Sequence, residues 1–209
     1  LAFCIQVFKG ADILPYLQTL ADMRLKAFCD FPYLYAGNVE EELVNLKEYA
    51  STSQGLLVVA FKEDRIAGVY SGMPFSTPGS FLENWAKKLI RKGIETRGAF
   101  YAGDLIIEPA FQKQKCCSLL IKQLIYEVET MGFSELIGIT SIRPPEHPLR
   151  PLYYKDSDSL WPKLGAEKLP ITLSAIWNTW QADGSIKKEE NLLACWVKRL
   201  NLPSLPLKS

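Results

Sequence analysis

Apolar residues recur along this chain in two rhythms, and the switches between them lay out the fold. Phe3 to Phe8 reads as a first strand. Gly10 and Asp12 then introduce a different spacing, in which Leu14, Leu17, Leu20, Ala21, Leu25 and Phe28 fall on one face of a helix. Phe31-Pro32-Tyr33-Leu34-Tyr35 is a loop, because Pro32 disfavours helix on its N-terminal side. Asn38 can cap a second helix, and Glu40, Glu41 and Glu42 in its first turn complement the helix dipole.

Gly55 to Phe61 and Ile66 to Met73 are apolar β-type runs joined by Lys62-Glu63-Asp64-Arg65, which predicts a hairpin. A loop from Pro74 to Gly79 leads into a helix from Ser80 to about Arg91, whose Lys87, Lys88 and Arg91 form a solvated basic face. Gly98 to Ile107 is a strong strand, followed by a helix over Lys115–Thr130. Cys117, Leu120, Ile121, Leu124, Val128 and Met131 make its apolar stripe, and Gly132 suits the position beyond its C-terminus. Leu136 to Ile142 is the next strand. A short helix from Asp158 to Leu164, broken near Pro162, and closing strands at Ile171–Trp180 and Leu192–Val197 complete the order. This succession predicts an α/β fold, a single mixed β-sheet flanked by helices, in one domain over residues 1–209. The strand–helix–strand unit through Lys115–Thr130 requires its two strands to run parallel.

Composition narrows the function classes. Lys and Arg number 24 against 23 Asp and Glu, a net charge of +1, which argues against a broad nucleic-acid footprint. Apolar runs stay short of the ~18 residues of a membrane span, and Leu1 to Lys9 lacks the marks of a signal peptide. Five cysteines at irregular spacings, without a C-x-x-C pair, fit a reduced cytoplasmic protein better than a disulfide framework. With one histidine and no cysteine pairing motif, no metal site is expected.

The most informative segment runs from Asp104 through Glu108-Pro109-Ala110-Phe111-Gln112-Lys113-Gln114-Lys115-Cys116-Cys117-Ser118 into the helix. A strand feeding a helix start through a short loop directs unpaired backbone N–H groups and the positive dipole end at one spot, suited to a phosphate. The segment resembles the acyl-CoA motif of the GNAT superfamily of N-acetyltransferases. There a Pro and an aromatic residue precede Arg or Gln-x-x-Gly-x-Gly or Ala. Pro109, Phe111 and Gln112 match, whereas Lys115 and Cys117 stand at the two small-residue positions. The Leu164-Gly165 pair, the closing strands and the two N-terminal helices extend the resemblance over nearly the whole chain. The Phe31–Tyr35 and Arg143–Pro151 segments look like a bacterial branch of unassigned substrate.

The resemblance implies the GNAT acyl-CoA acyltransferase fold and acetyl-CoA as co-substrate. Backbone groups of Ile106 and Ile107 would meet the pantetheine, and Gln112, Lys113, Gln114, Lys115, Cys116, Cys117 and Ser118 the pyrophosphate. A small amine would be the acceptor, and a homodimer is compatible with the family. Two departures matter. Glycine permits close approach and positive φ, neither of which Lys115 or Cys117 is expected to restore, although Lys113 and Lys115 add charge. At Leu160-Trp161-Pro162-Lys163-Leu164-Gly165, Trp161 replaces the tyrosine that many members use to protonate the leaving thiolate, and an indole does not ionise usefully.

Acetyl transfer also needs the amine neutral. Asp104 is a carboxylate inside an apolar strand, and alternation puts it on the face of Phe100, Ala102 and Ile106. It is either a catalytic or substrate-binding group or a structural acceptor. His147, the single histidine, and Tyr154 or Tyr153, near the missing acid in sequence, are further catalytic candidates, each weighed against a structural role. Arg143 can bind an acidic group of a substrate or tie down the Pro-rich loop. Cys116 and Cys117 at a helix start could have depressed thiol pKa values, although packing is the plainer reading. The leading function is acyl-CoA-dependent N-acetyl transfer to a small amine. The alternative is a GNAT-fold binding or regulatory protein with a degenerate CoA loop.

Overall fold

A computed structural model describes residues 2–154 and 159–201. Strand β1 (Cys4–Lys9) leads through a 3₁₀ segment at Gly10–Tyr16 into α1 (Leu17–Phe28). Helix α2 (Val39–Ser51) follows, and the Asn38 side chain accepts from the Glu41 N–H at 2.9 Å, the cap that its position predicts. Next come β2 (Leu56–Lys62), β3 (Arg65–Pro74), α3 (Glu83–Ile90) and β4 (Ala99–Ile107). Helix α4 (Cys116–Thr130), β5 (Glu135–Ser141), the short α5 (Leu160–Lys163), β6 (Glu167–Trp180) and β7 (Ile186–Arg199) close the chain.

The seven strands form one mixed sheet in the order β1-β2-β3-β4-β5-β7-β6. The β2–β3 hairpin is present, with Lys62 opposite Arg65. Strands β4 and β5 are parallel, as the intervening α4 demands, and the other pairings are antiparallel. Side chains from the 3₁₀ segment and from α1, α2 and α3 fill the core on one face, centred on Leu20, Leu46, Val59 and Phe75. The other face is covered by α4 and α5, with Leu120, Leu124 and Trp161 packed on Val58 and Phe100.

Three expectations need correction. Strand β6 starts at Glu167 rather than Ile171, and β7 runs from Ile186 to Arg199 rather than over Leu192–Val197. The tip of this edge hairpin pairs polar residues such as Asn178 with Lys188, so no apolar run marks it. The short helix spans Leu160–Lys163, with Pro162 inside it, and the expected start at Asp158 lies outside the described residues. Most consequential is the face of Asp104. Tyr70 pairs with Leu105 and Gly72 with Ala102, so Ser71 alone spans Gly103 and Asp104, a β-bulge in β4. Strict alternation fails there. Phe100 and Ala102 belong to the α4 side, while Asp104 meets Arg24 and Ser71, and Ile106 joins the core beneath α1 and α2.

Candidate active site

The parallel ladder between β4 and β5 is short, running from Ala99 opposite Glu135 to Ala102 opposite Gly138. Beyond it β4 continues to Ile107 paired only with β3, while β5 continues to Ser141 paired with β7. The strands therefore part, and Ile106 and Ile107 keep an edge that β5 does not cover. Trp161 lies against Gly138 at this fork, so closely that a methyl on Gly138 would overlap the indole. A cavity of about 870 Å³ opens here, within the roughly 300–1,000 Å³ of small-ligand sites. Tyr49, Tyr101 and Leu193 of one core line it together with Tyr70, Ala102 and Trp161 of the other, so it passes between the parted strands.

On the α4 side, β4 leads through a 3₁₀ turn at Pro109–Phe111 to the helix start. Lys113 and Lys115 have φ of 61° and 68°, the left-handed region. The expectation that Lys115 would not restore a glycine-like backbone is corrected: the conformation is kept, at a cost of roughly 1–2 kcal/mol for a residue with a Cβ. Lys115 precedes α4 without a side-chain cap, leaving the first N–H groups of the helix without an intrahelical partner. Gln114 is tied down, donating to Ala110 O at 2.8 Å and accepting from Lys62 Nζ at 2.8 Å. Arg65 sits 5.5 Å above the Phe111 ring, so Lys62 and Arg65 add to the positive charge near Lys113 and Lys115. Ser118 Oγ donates back to Lys115 O. Cys116 is buried and Cys117 half-buried, and burial pushes both thiols up rather than down, opposite to the activation a helix start can give.

On the opposite face, Asp104 is part of a cluster that joins three elements. Arg24 of α1 bonds to both Glu42 of α2 and Asp104 of β4. Ser71 Oγ donates to Asp104 Oδ2 at 3.3 Å and accepts from the Asp104 N–H at 3.0 Å. Burial works against the Arg24 charge, but Asp104 and then Glu42 outweigh it and hold the guanidinium above its ordinary range. Tyr49 reaches over the bulge, where a Cβ on Gly103 would stand 2.6 Å from its hydroxyl. Burial and then the Asp104 charge push this phenol up. Glu42 is fully buried, and its Oε1 has no hydrogen-bond partner among the described residues.

Of the predicted site residues only Asp104 lines this cavity. Ile106, Ile107 and the loop and helix start from Gln112 to Ser118 lie outside its lining, as do His147, Tyr154 and Arg143. The His147 ring is 5.6 Å from Phe31, and its Nδ1 accepts from the Leu149 N–H at 3.2 Å. Tyr154 packs edge-on against Phe31 at 4.6 Å, with Arg150 over its ring, and Tyr153 is exposed. Arg143 donates to Pro32 O, Tyr33 O and Asn191 Oδ1, which ties the Pro-rich loop to the Phe31–Tyr35 loop and to β7.

Arg24 and Glu42 were not among the expected site residues. A signal for both lies in the helical spacing: Arg24 falls four residues after Leu20, and Glu42 four before Leu46, each on its helix's buried stripe. Opposite charges on two apolar stripes call for each other. The aromatic walls, including Tyr33, Trp85 and Trp177, come from separate elements and carry no local signal.

No family model and no curated protein matches this sequence. Solved structures do. A putative acetyltransferase, yncA, from Salmonella typhimurium, solved with its cofactor acetyl-CoA, aligns over 100% of both chains at 12% identity and a TM-score of 0.61. An N-acetyltransferase from Staphylococcus aureus Mu50 covers 95% of this chain and 99% of its own at 12% identity and 0.60. A ribosomal-protein-alanine N-acetyltransferase from Brucella melitensis covers 93% and 99% at 15% identity and 0.59. The parted parallel strands, the loop into α4 and these likenesses agree: the chain has the fold of the GNAT N-acetyltransferases.

Proposed function

We propose that the protein transfers an acetyl group from acetyl-CoA to a small amine by direct transfer. The observation that carries this reading is the cavity at the fork of β4 and β5 with the Asp104 cluster in its lining, while the uncapped start of α4 follows β4 outside that lining. The residues present fit the co-substrate, which supplies the acyl group as a thioester. The free edge at Ile106 and Ile107 suits an extended amide-bearing arm. The left-handed Lys113 and Lys115 keep the loop open toward an anion, with Gln112 and the amides of Cys116, Cys117 and Ser118 at the helix start. Asp104 is the group we assign to the amine, accepting a hydrogen bond from its nitrogen and steering its proton to water or carboxylate. In the net step one C–N bond forms and one C–S bond breaks. The nitrogen gives up protons, and the departing sulfur takes one.

Asp104→Asn keeps the size of the side chain and removes its charge. The expected result is turnover, read as free CoA thiol, reduced by at least tenfold, with CoA affinity by calorimetry unchanged. Equal turnover in the variant with an active amine removes Asp104 from the reaction. A second reading, a binding protein without catalysis, is favoured by Trp161, which stands in the sequence where the resemblance expects the acid tyrosine. Trp161→Tyr separates the two: faster thiol release supports an enzyme limited at that step. CoA binding without thiol release, in wild type and variant alike across an amine panel, supports the binding protein.

A further inference from the structure

The far end of the cavity has a chemistry of its own, and it bears on which amine the site takes. Its polar demands are concentrated in one place. Arg24 is a single cation between two carboxylates, Glu42 and Asp104, and Glu42 Oε1 is buried without a partner among the described residues. Counted over Arg24, Glu42 and Asp104 the cluster is one positive charge short; the Tyr35 hydroxyl adds a neutral hydrogen bond to Glu42, and Glu41 and Lys188, which also line the cavity, cancel formally. Burial raises the worth of each charge there, because a buried carboxylate that lacks a full complement of donors is costly.

Much of the wall around this cluster is ring surface, set among the polar side chains of Asn45, Asn84, Asn178 and Lys188. The Trp85 Nε1–H is already given to Ser174 O at 2.8 Å, and the Trp177 Nε1–H to Tyr33 O at 3.2 Å. Both indoles line the cavity and are fixed by these bonds, so what they present is an apolar face. Phe81 stands 6.1 Å from Trp85 and 5.8 Å from Tyr101, and Phe28 stands 4.6 Å from Tyr33, two groups of rings from different elements. A hydroxyl or a second charge placed against these ring faces loses its hydration without recovering it. A flat apolar body ending in one ammonium recovers both terms. Its ring stacks on aromatic faces, and its charge meets the carboxylate excess and the negative faces of the rings.

Building on the acetyltransferase reading, we infer that the acceptor is an arylalkyl primary amine, an aromatic ring joined by a short chain to one cationic nitrogen, rather than a polyamine, an amino sugar or an amino acid. The ammonium binds at the Asp104–Arg24–Glu42 cluster, and the ring lies among Trp85, Trp177 and Tyr33.

The test uses the full chain with 2-phenylethylamine, tryptamine, spermidine, glucosamine and glycine, together with the uncharged 2-phenylethanol. Binding is read from tryptophan fluorescence without co-substrate, and kcat/KM from thiol release with acetyl-CoA. The two arylalkylamines are expected to exceed the other amines by at least tenfold in both, and to bind at least tenfold more tightly than 2-phenylethanol. Trp177→Ala, or the milder Trp177→Phe should the first not fold, is expected to raise KM for the arylalkylamine at least threefold while CoA affinity stays constant. Spermidine, glucosamine or glycine at or above the arylalkylamines overturns the inference, as does 2-phenylethanol binding equally well. If the same binding order appears without thiol release, the acceptor class stands and the transferase reading falls. If CoA binds and thiol is released without preference among amines, the reverse holds.

Discussion

At Lys113 and Lys115 the chain holds a conformation usually left to glycine. The lysine ammonium groups gain charge for the loop, and the backbone bears the strain. Replacing Lys115 by Gly relieves about 1 kcal/mol of left-handed strain and gives back part of it as extra freedom of the unfolded chain. The expected net effect is a stabilisation below about 1 kcal/mol, a small rise in Tm by calorimetry. Combined with Cys117→Gly, it should tighten CoA binding if side-chain bulk, rather than missing charge, limits affinity. His147 offers a clean readout because it is the single histidine. Burial first, then the Arg143 charge, hold its pKa below the ordinary 6.5, against the pull of Glu189. Below that ordinary value the unfolded chain takes a proton before the folded one does. The His147 contribution to stability is therefore present above about pH 6.5 and lost as pH falls through the lowered folded value. Proton NMR of the imidazole should give a midpoint under 6.5, moved up in Arg143→Gln.

Among the elements, α1, α2 and β4 are joined by one guanidinium. Removing it in Arg24→Met leaves the buried Glu42 beside the part-buried Asp104 without their cation. The expected loss is about 3–5 kcal/mol, the range for breaking a buried pair from one side, measured by denaturant unfolding. A loss under 1 kcal/mol would show that water reaches the cluster and replaces the guanidinium. The elements themselves were largely legible in the sequence, because Leu120, Leu124 and Val128 recur at helical spacing and Leu56 to Ala60 form a continuous buried run. The parallel pairing of β4 with β5 followed from the helix between them. What joins elements was not legible. A bulge depends on Ser71 lying across from two residues of another strand, and nothing local to Asp104 announces it. Arg24 and Glu42 read as ordinary helix-surface charges until the stripes on which they sit are compared. The polar hairpin tip at Lys187–Glu190 hid because cross-strand pairing, rather than apolar content, makes it a strand.

For the whole molecule, the sheet is continuous from β1 to β6 but changes character in the middle. On either side of the fork the pairing is extensive, with six to eleven residue pairs in β1–β2, β3–β4, β5–β7 and β6–β7, against four in β4–β5. The cavity crosses at this short seam, so on the proposed transferase reading donor and acceptor would reach the reacting atoms from opposite faces, neither having to vacate the other's path. That arrangement has a signature in steady-state kinetics. Double-reciprocal plots at several fixed amine concentrations should intersect rather than run parallel. Free CoA should compete with acetyl-CoA yet be noncompetitive toward the amine. Parallel lines would mean that an acylated protein forms and releases CoA before the amine arrives, and the two faces would then be visited in turn.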